Sequence, residues 1–242
     1  MVLFYGLLLL VAFLYAAVGH GGASGYLALM ALWGVAPDVM KPTALVLNLF
    51  VSLTSFIQFY RSGHFRWQLF WPFAVLSVPM AFVGGSIKID AALYKQMLGV
   101  LLLIPVARLL LFPNPPASAL RPANTVGAGA IGAVIGFLSG LIGIGGGILL
   151  SPVVLLLRWA DQKQTAAISA LFIFVNSVRG LMGQVSKGLQ LSTDMIGYIV
   201  VAFAGGLLGA WLGAGRLPQQ ALKYVLALVL LVAVYKLIFA GV

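Results

Sequence analysis

A cluster of glycines occurs twice in this chain, each time inside very apolar sequence. The first copy is Gly19-His20-Gly21-Gly22-Ala23-Ser24-Gly25, and the second is Gly140-Leu141-Ile142-Gly143-Ile144-Gly145-Gly146-Gly147. Glycine weakens a helix, so each apolar run is expected to break at its cluster. A helix broken in lipid bares backbone N–H and C=O groups, which is tolerable only against protein or a polar cavity. Two such breaks, one in each half of a membrane chain, point to a binding site between them.

Composition supports the membrane setting. Of the 242 residues, 62% are hydrophobic and 7% are charged, a balance that leaves a water-soluble domain nowhere to put its apolar surface. The apolar runs are continuous rather than alternating, which excludes a transmembrane β-barrel. The expected class is therefore an all-α polytopic membrane protein. With no cysteine, thiol catalysis and thiolate metal sites are excluded. The net charge of +10 comes from fourteen Lys and Arg placed singly in loops and at helix ends. They form no basic stripe, so the expected partner is the lipid bilayer and not nucleic acid.

Taken in order, Val2–Val18 enters, the glycines break it, and Tyr26–Trp33 is too short to span. Pro37–Tyr60, Trp67–Ser86 and Ala91–Phe112 can each span, with Trp67 and Trp71 as interface anchors and Asp90 as a helix cap. Residues 1–18 lack the basic start of a signal peptide and are read as a retained first helix. The second half repeats the order: Thr125–Leu141, a glycine break, the short Ile148–Trp159, then spans at Asp161–Gln184, Met195–Gly215 and Leu217–Ala240. Gly205, Gly209 and Gly213 in the second of these make small-xxx-small steps for close helix contact.

The repeat is legible in its spacing. Gly19 and Gly143, Gly21 and Gly145, and Gly22 and Gly146 are each 124 apart, and Gly63 and Gly188 are 125 apart. Lys88 and Arg216, Lys95 and Lys223, and Arg108 and Lys236 are each 128 apart. Residues 1–112 and 124–242 are thus read as two homologous repeats joined by a linker at 113–123. Each would hold a glycine-broken re-entrant or short helix pair and three spanning helices. If the glycine turn is a hairpin, each half crosses an odd number of times and the halves are inverted. Lys and Arg then divide by side as about eight against six, and about seven against seven if the halves are parallel, which favours inversion.

The chemistry-bearing residues follow from this layout. Each short helix starts where its glycines end, and a helix start offers unpaired N–H groups to an anion. Gly21, Gly22 and Ser24 in the first turn, and Gly145, Gly146 and Gly147 in the second, are the expected backbone contacts. The competing reading is that these glycines only let helices cross closely. Asn48 and Asn176 lie within apolar runs, on one helix face when the halves are aligned, and serve either a ligand or an interhelical hydrogen bond. Arg179, one turn after Asn176, is expected deep in its span as the main charged contact to an oxyanion; its bland alternative is holding helix-end carbonyls. His20 sits in the first turn and would either donate to an anion or titrate during transport, or simply pack. Ser52, Thr54, Ser55, Gln58, Ser177 and Gln184 extend the polar face.

Absences narrow the class further. There is no glutamate, and Asp38, Asp90, Asp161 and Asp194 fall at loops or helix ends, so a carboxylate proton relay and a cation substrate are disfavoured. No Lys-Ser/Thr pair follows either glycine cluster, so neither is a P-loop. No nucleophile, base and orienting group are grouped as an enzyme needs. No cofactor or metal is expected.

At these residues the chain resembles the TauE/SafE family, also known as the toluene sulfonate uptake permease family. The resemblance is carried by Gly143-Ile144-Gly145-Gly146-Gly147 followed by Leu149-Leu150-Ser151-Pro152, by the helix from Gln164 onward, by the basic-glycine loop, and by Arg216-Leu217-Pro218. It covers both repeats. The first half departs from the family pattern at Gly19-His20-Gly21-Gly22-Ala23, and no proline follows the start of its short helix. The resemblance implies secondary transport of a small anionic substrate, such as sulfite or an organosulfonate, across the bacterial inner membrane. The rival from another class is an anion channel built on glycine-rich re-entrant turns. Homo-oligomerisation is left open.

Overall fold

The computed structural model describes residues 2–17, 22–111, 120–188 and 194–213, together with 231, 234 and 235. Among them the regular structure is entirely helical: α1 (Val2–Ala17), α2 (Ala23–Leu32), α3 (Pro37–Arg61), α4 (Trp67–Ser86), α5 (Ala91–Leu111), α6 (Thr125–Ile142), α7 (Gly147–Leu156), α8 (Gln162–Val185) and α9 (Asp194–Gly213). The helix starts use the residues that local chemistry favours. Pro37 opens α3, where its missing N–H costs nothing. Asp90 accepts from the backbone N–H groups of Ala92 and Leu93 at 2.9 and 3.0 Å, Asn124 from Gly127, and Asp161 from Gln164. These side chains satisfy orphan donors at the starts of α5, α6 and α8.

Helices α3, α4, α6 and α8 are long and apolar enough to cross a bilayer. Their outward faces are apolar as well. Trp67, Trp71 and Val75 recur every fourth residue along α4 and are all exposed, the pattern of a lipid-facing stripe. Apolar outside and inside together define an integral membrane protein of the polytopic helical class.

The centre of the molecule is the pair α3 and α8. Helix α8 packs against α3, α4, α6 and α7, while α3 also meets α2 and α9. The most extensive helix contacts are between α4 and α6 and between α1 and α9. Both are made by glycine. A Cβ on Gly132, Gly136 or Gly140 of α6 would strike the carbonyl oxygens of Phe73, Ser77 and Ala81 of α4. In the same way Gly205 and Gly209 of α9 lie on the carbonyls of Leu9 and Phe13 of α1. The partners advance together by four residues, so both pairs run parallel. Gly205 and Gly209 thus make the close contact their spacing predicts, while the surroundings of Gly213 lie outside the described residues.

Two contacts fix how each short helix lies. The N–H of Arg121, just before α6, donates to the carbonyl of Arg158, just after α7, at 2.7 Å. In the first half, Phe4 near the start of α1 meets Trp33 at the end of α2, with ring centroids 5.6 Å apart. In each half the start of the first helix therefore lies beside the end of the short one. The short helices are Ala23–Leu32 and Gly147–Leu156, starting directly after Gly22 and Gly146. They begin three and one residues earlier than the sequence pattern predicts, because a small residue in the first turn does not stop a helix that a glycine N-cap has already started.

Candidate functional site

The second glycine turn enters the space between α3 and α8. Gly143, Gly145 and Gly146 hold left-handed φ values of 89°, 73° and 81°. Gly143 ends α6 and donates its N–H to the Ser139 carbonyl at 2.8 Å. The Ile142 carbonyl beside it accepts from the Tyr94 hydroxyl at 2.8 Å. Gly146 caps α7, and no side chain bonds to that helix start. Its first N–H groups are therefore not occupied by a capping side chain.

Gly145 faces one of the predicted amides, Asn48. A Cβ there would lie 2.5 Å from Asn48 Nδ2 and 3.2 Å from Ser177 Oγ. Asn48 Nδ2 donates to Ser177 Oγ at 3.3 Å, across from α3 to α8. Next to it, Ser77 Oγ of α4 donates to Asn176 Oδ1 at 2.5 Å. All four side chains are inaccessible to solvent. Yet Asn48 Oδ1 and Asn176 Nδ2 have no hydrogen-bond partner, nor does the buried Ser139 hydroxyl. An unpaired polar group in such a place costs about 1–3 kcal/mol. Asn176 Nδ2 can donate, Asn48 Oδ1 can accept, and the Ser139 hydroxyl can do either.

The first turn is built differently. Gly22 caps α2 with φ 82° and again no side-chain cap. Tyr26 folds over it, with its ring where a Gly22 Cβ would be, and the buried Tyr26 hydroxyl has no partner. Ser24 donates to the Tyr15 hydroxyl at 2.8 Å, so it ties α2 to α1. His20 and Gly21 lie outside the described residues. Gly147 is tightly packed at the start of α7, where its carbonyl accepts from Ser151 Oγ.

Arg179 does not join this cluster. The structure corrects its expected place beside Asn176: the side chain is exposed, and Nη1 approaches Met182 Sδ at 3.9 Å. The reason is helix phase. The buried face of α8 runs through Ile173, Asn176, Ser177, Gly180, Gly183 and Gln184, and position 179 falls on the flank with Met182 and Val185. It is also six residues from the end of α8, about 9 Å, within reach of snorkelling. Among the described residues no fully buried side chain is charged. The cluster is therefore neutral, made of amides, hydroxyls and backbone.

The residues that the sequence reading missed are Ser77, Ser139, Tyr26 and Lys41. Lys41 on α3 packs against Gly143, with its Nζ 3.5 Å from the carbonyls of Gly85 and Ile87 at the end of α4. It neutralises the negative helix end there. Two had a local signal: Tyr26 stands four residues after Gly22, and Ser139 four before Gly143, one helical turn from each break. Ser77 and Lys41 had none, because α4 comes beside α6 and α8 only in the folded molecule.

A helical, membrane-embedded molecule with a buried neutral polar cluster has the form of a solute carrier or channel. The family model described as sulfite exporter TauE/SafE matches residues 4–237. A protein of Sinorhizobium fredii named as a probable membrane transporter is 38% identical over 233 residues, covering 95% of this chain and 94% of that one. A probable membrane transporter protein of Bacillus subtilis is 32% identical over 113 residues, 47% of this chain and 41% of its own. One from Methanocaldococcus jannaschii is 25% identical over 174 residues, 69% of this chain and 65% of its own. No solved structure matches. The chain belongs to the TauE/SafE family, and it is a membrane transporter.

Proposed function

We propose that this transporter is a secondary carrier of a small sulfur-containing anion, an organosulfonate or sulfite, in a prokaryotic plasma (inner) membrane. The observation that carries the reading is the unpaired Asn176 Nδ2, a donor buried one position from Ser177, whose hydroxyl lies with Asn48 against Gly145. Asn176 Nδ2 is a free donor, and the hydroxyl of Ser139 can turn its proton outward. The uncapped starts of α2 and α7 add backbone donors and partial positive charge. A sulfonate offers three oxygens to such a set. Neutral donors also suit a carrier, since an ion held by full charges is slow to leave.

The architecture proposed for this transport is two inverted repeats, residues 1–112 and 124–242, with 113–123 as the link. The helix contacts support it. Exchanging the halves turns α4 against α8 into α9 against α3, and both contacts exist. Counterparts α3 and α8 meet antiparallel, since Asn48 bonds to Ser177 while Leu45 lies against Gly180. Antiparallel counterparts are what a twofold axis in the membrane plane produces. With the three spans that the sequence reading assigns to each half, turned-back short helices would give an odd number of crossings per half, which also favours inversion.

The test is a binding screen of purified protein against sulfite, thiosulfate, and aliphatic and aromatic sulfonates. Saturable binding of at least one, weakened by Asn176→Ala, supports the reading; binding of none overturns it. An anion channel is the second reading, favoured by the same glycine turns. Counterflow in proteoliposomes separates them, since a channel gives single-channel currents and no counterflow.

A further inference from the structure

We propose that the interface of α3 and α8 is the route of the anion through the molecule, with Gln184 and Ser55 as its two outer stations on opposite sides of the amide site. The inference rests on the anion-transport reading above and extends it from a site to a path.

The register of the two helices carries it. On α3 the positions Lys41, Leu45, Asn48, Ser52 and Ser55 alternate in steps of four and three, which keeps them on one face. On α8 the matching face runs through Gln184, Gly180, Ser177, Ile173 and Ser169. The Asn48–Ser177 hydrogen bond and the approach of Leu45 to Gly180 fix the antiparallel register. Continued along the helices, that register sets Lys41 level with Gln184 and Ser55 level with Ala170, next to Ser169. Each outer level lies seven residues from the Asn48–Ser177 level, about 10 Å.

Unpaired polar atoms occur at all three levels: Gln184 Nε2, Asn48 Oδ1 and Ser55 Oγ. Each belongs to a side chain at least nine-tenths buried. A pair of spanning helices held together by polar groups alone would bond them to each other. Here they are left open at about two-turn intervals along the facing sides of α3 and α8, as a hydrated path would have them. Leu45 and Ile173 stand between the levels as apolar constrictions, and the second glycine turn reaches the middle level through Gly145. Lys41 at the Gln184 end adds a cation where an anion would enter or leave.

The chain has no cysteine, so single-cysteine variants need no prior removal of thiols. Ser55→Cys, Gln184→Cys and, at the same level as the latter, Lys41→Cys are each to be labelled in right-side-out and inverted vesicles. The reagent is 2-sulfonatoethyl methanethiosulfonate, itself an aliphatic sulfonate. Leu47→Cys and Ile168→Cys, buried on the same helices, are the controls. The path predicts labelling of Ser55→Cys from one side, and of Gln184→Cys or Lys41→Cys from the other, at least tenfold faster than the controls. Labelling no faster than the controls, in variants that retain the wild-type gel-filtration profile, overturns it. If the labelling holds but the wild-type protein moves neither sulfite nor methanesulfonate, the path stands and the substrate reading fails.

Discussion

Asn176 illustrates what a single residue does here. Its Oδ1 accepts from Ser77 while its Nδ2 is left open, so the side chain is oriented by one contact and free to make another. Asn176→Ala should weaken anion binding by about tenfold, the equivalent of roughly 1.4 kcal/mol, measured by titration of purified protein. Arg179→Gln should change affinity by less than about threefold, because the exposed guanidinium is turned away from the amides. Gly145 gives a sharper contrast. Gly145 and Gly63 have nearly the same positive φ, 73° and 75°, but a Cβ at Gly63 meets nothing within 4 Å whereas one at Gly145 strikes Asn48. Both Ala substitutions should cost about 1–2 kcal/mol of stability through backbone strain. Only Gly145→Ala should also reduce affinity, by tenfold or more.

The elements explain why part of the site was legible in the sequence and part was not. The apolar runs, the glycine breaks and the capping aspartates are local signals, and α3, α4, α6 and α8 fall where they point. The amides stood out because polar groups in apolar runs are conspicuous. Arg179 misled because three residues along a helix is about 60° off a full turn, enough to leave the buried face. Ser77 became part of the site through α4, which the glycines of α6 hold at backbone contact. That contact predicts its own test. Gly136→Ala should cost about 1–3 kcal/mol, because its Cβ would be forced onto the Ser77 carbonyl. Gly6→Ala, with nothing within 4 Å, should be neutral or slightly stabilising in the same thermal melts.

At the scale of the whole molecule, the proposed inverted repeat gives the amide site equal access to two sides. The closely packed pairs α4–α6 and α1–α9 flank the α3–α8 centre, and relative rocking of the two pairs would open one side at a time. The account is tested most directly by counterflow in proteoliposomes. Vesicles loaded with an unlabelled aliphatic sulfonate or with sulfite, then diluted into a trace of the same anion in labelled form, should show a transient overshoot of label that saturates with concentration and is reduced about tenfold in initial rate by Asn176→Ala at sub-saturating anion. Flux without overshoot, or no flux of any sulfur anion by protein that remains folded, would contradict it.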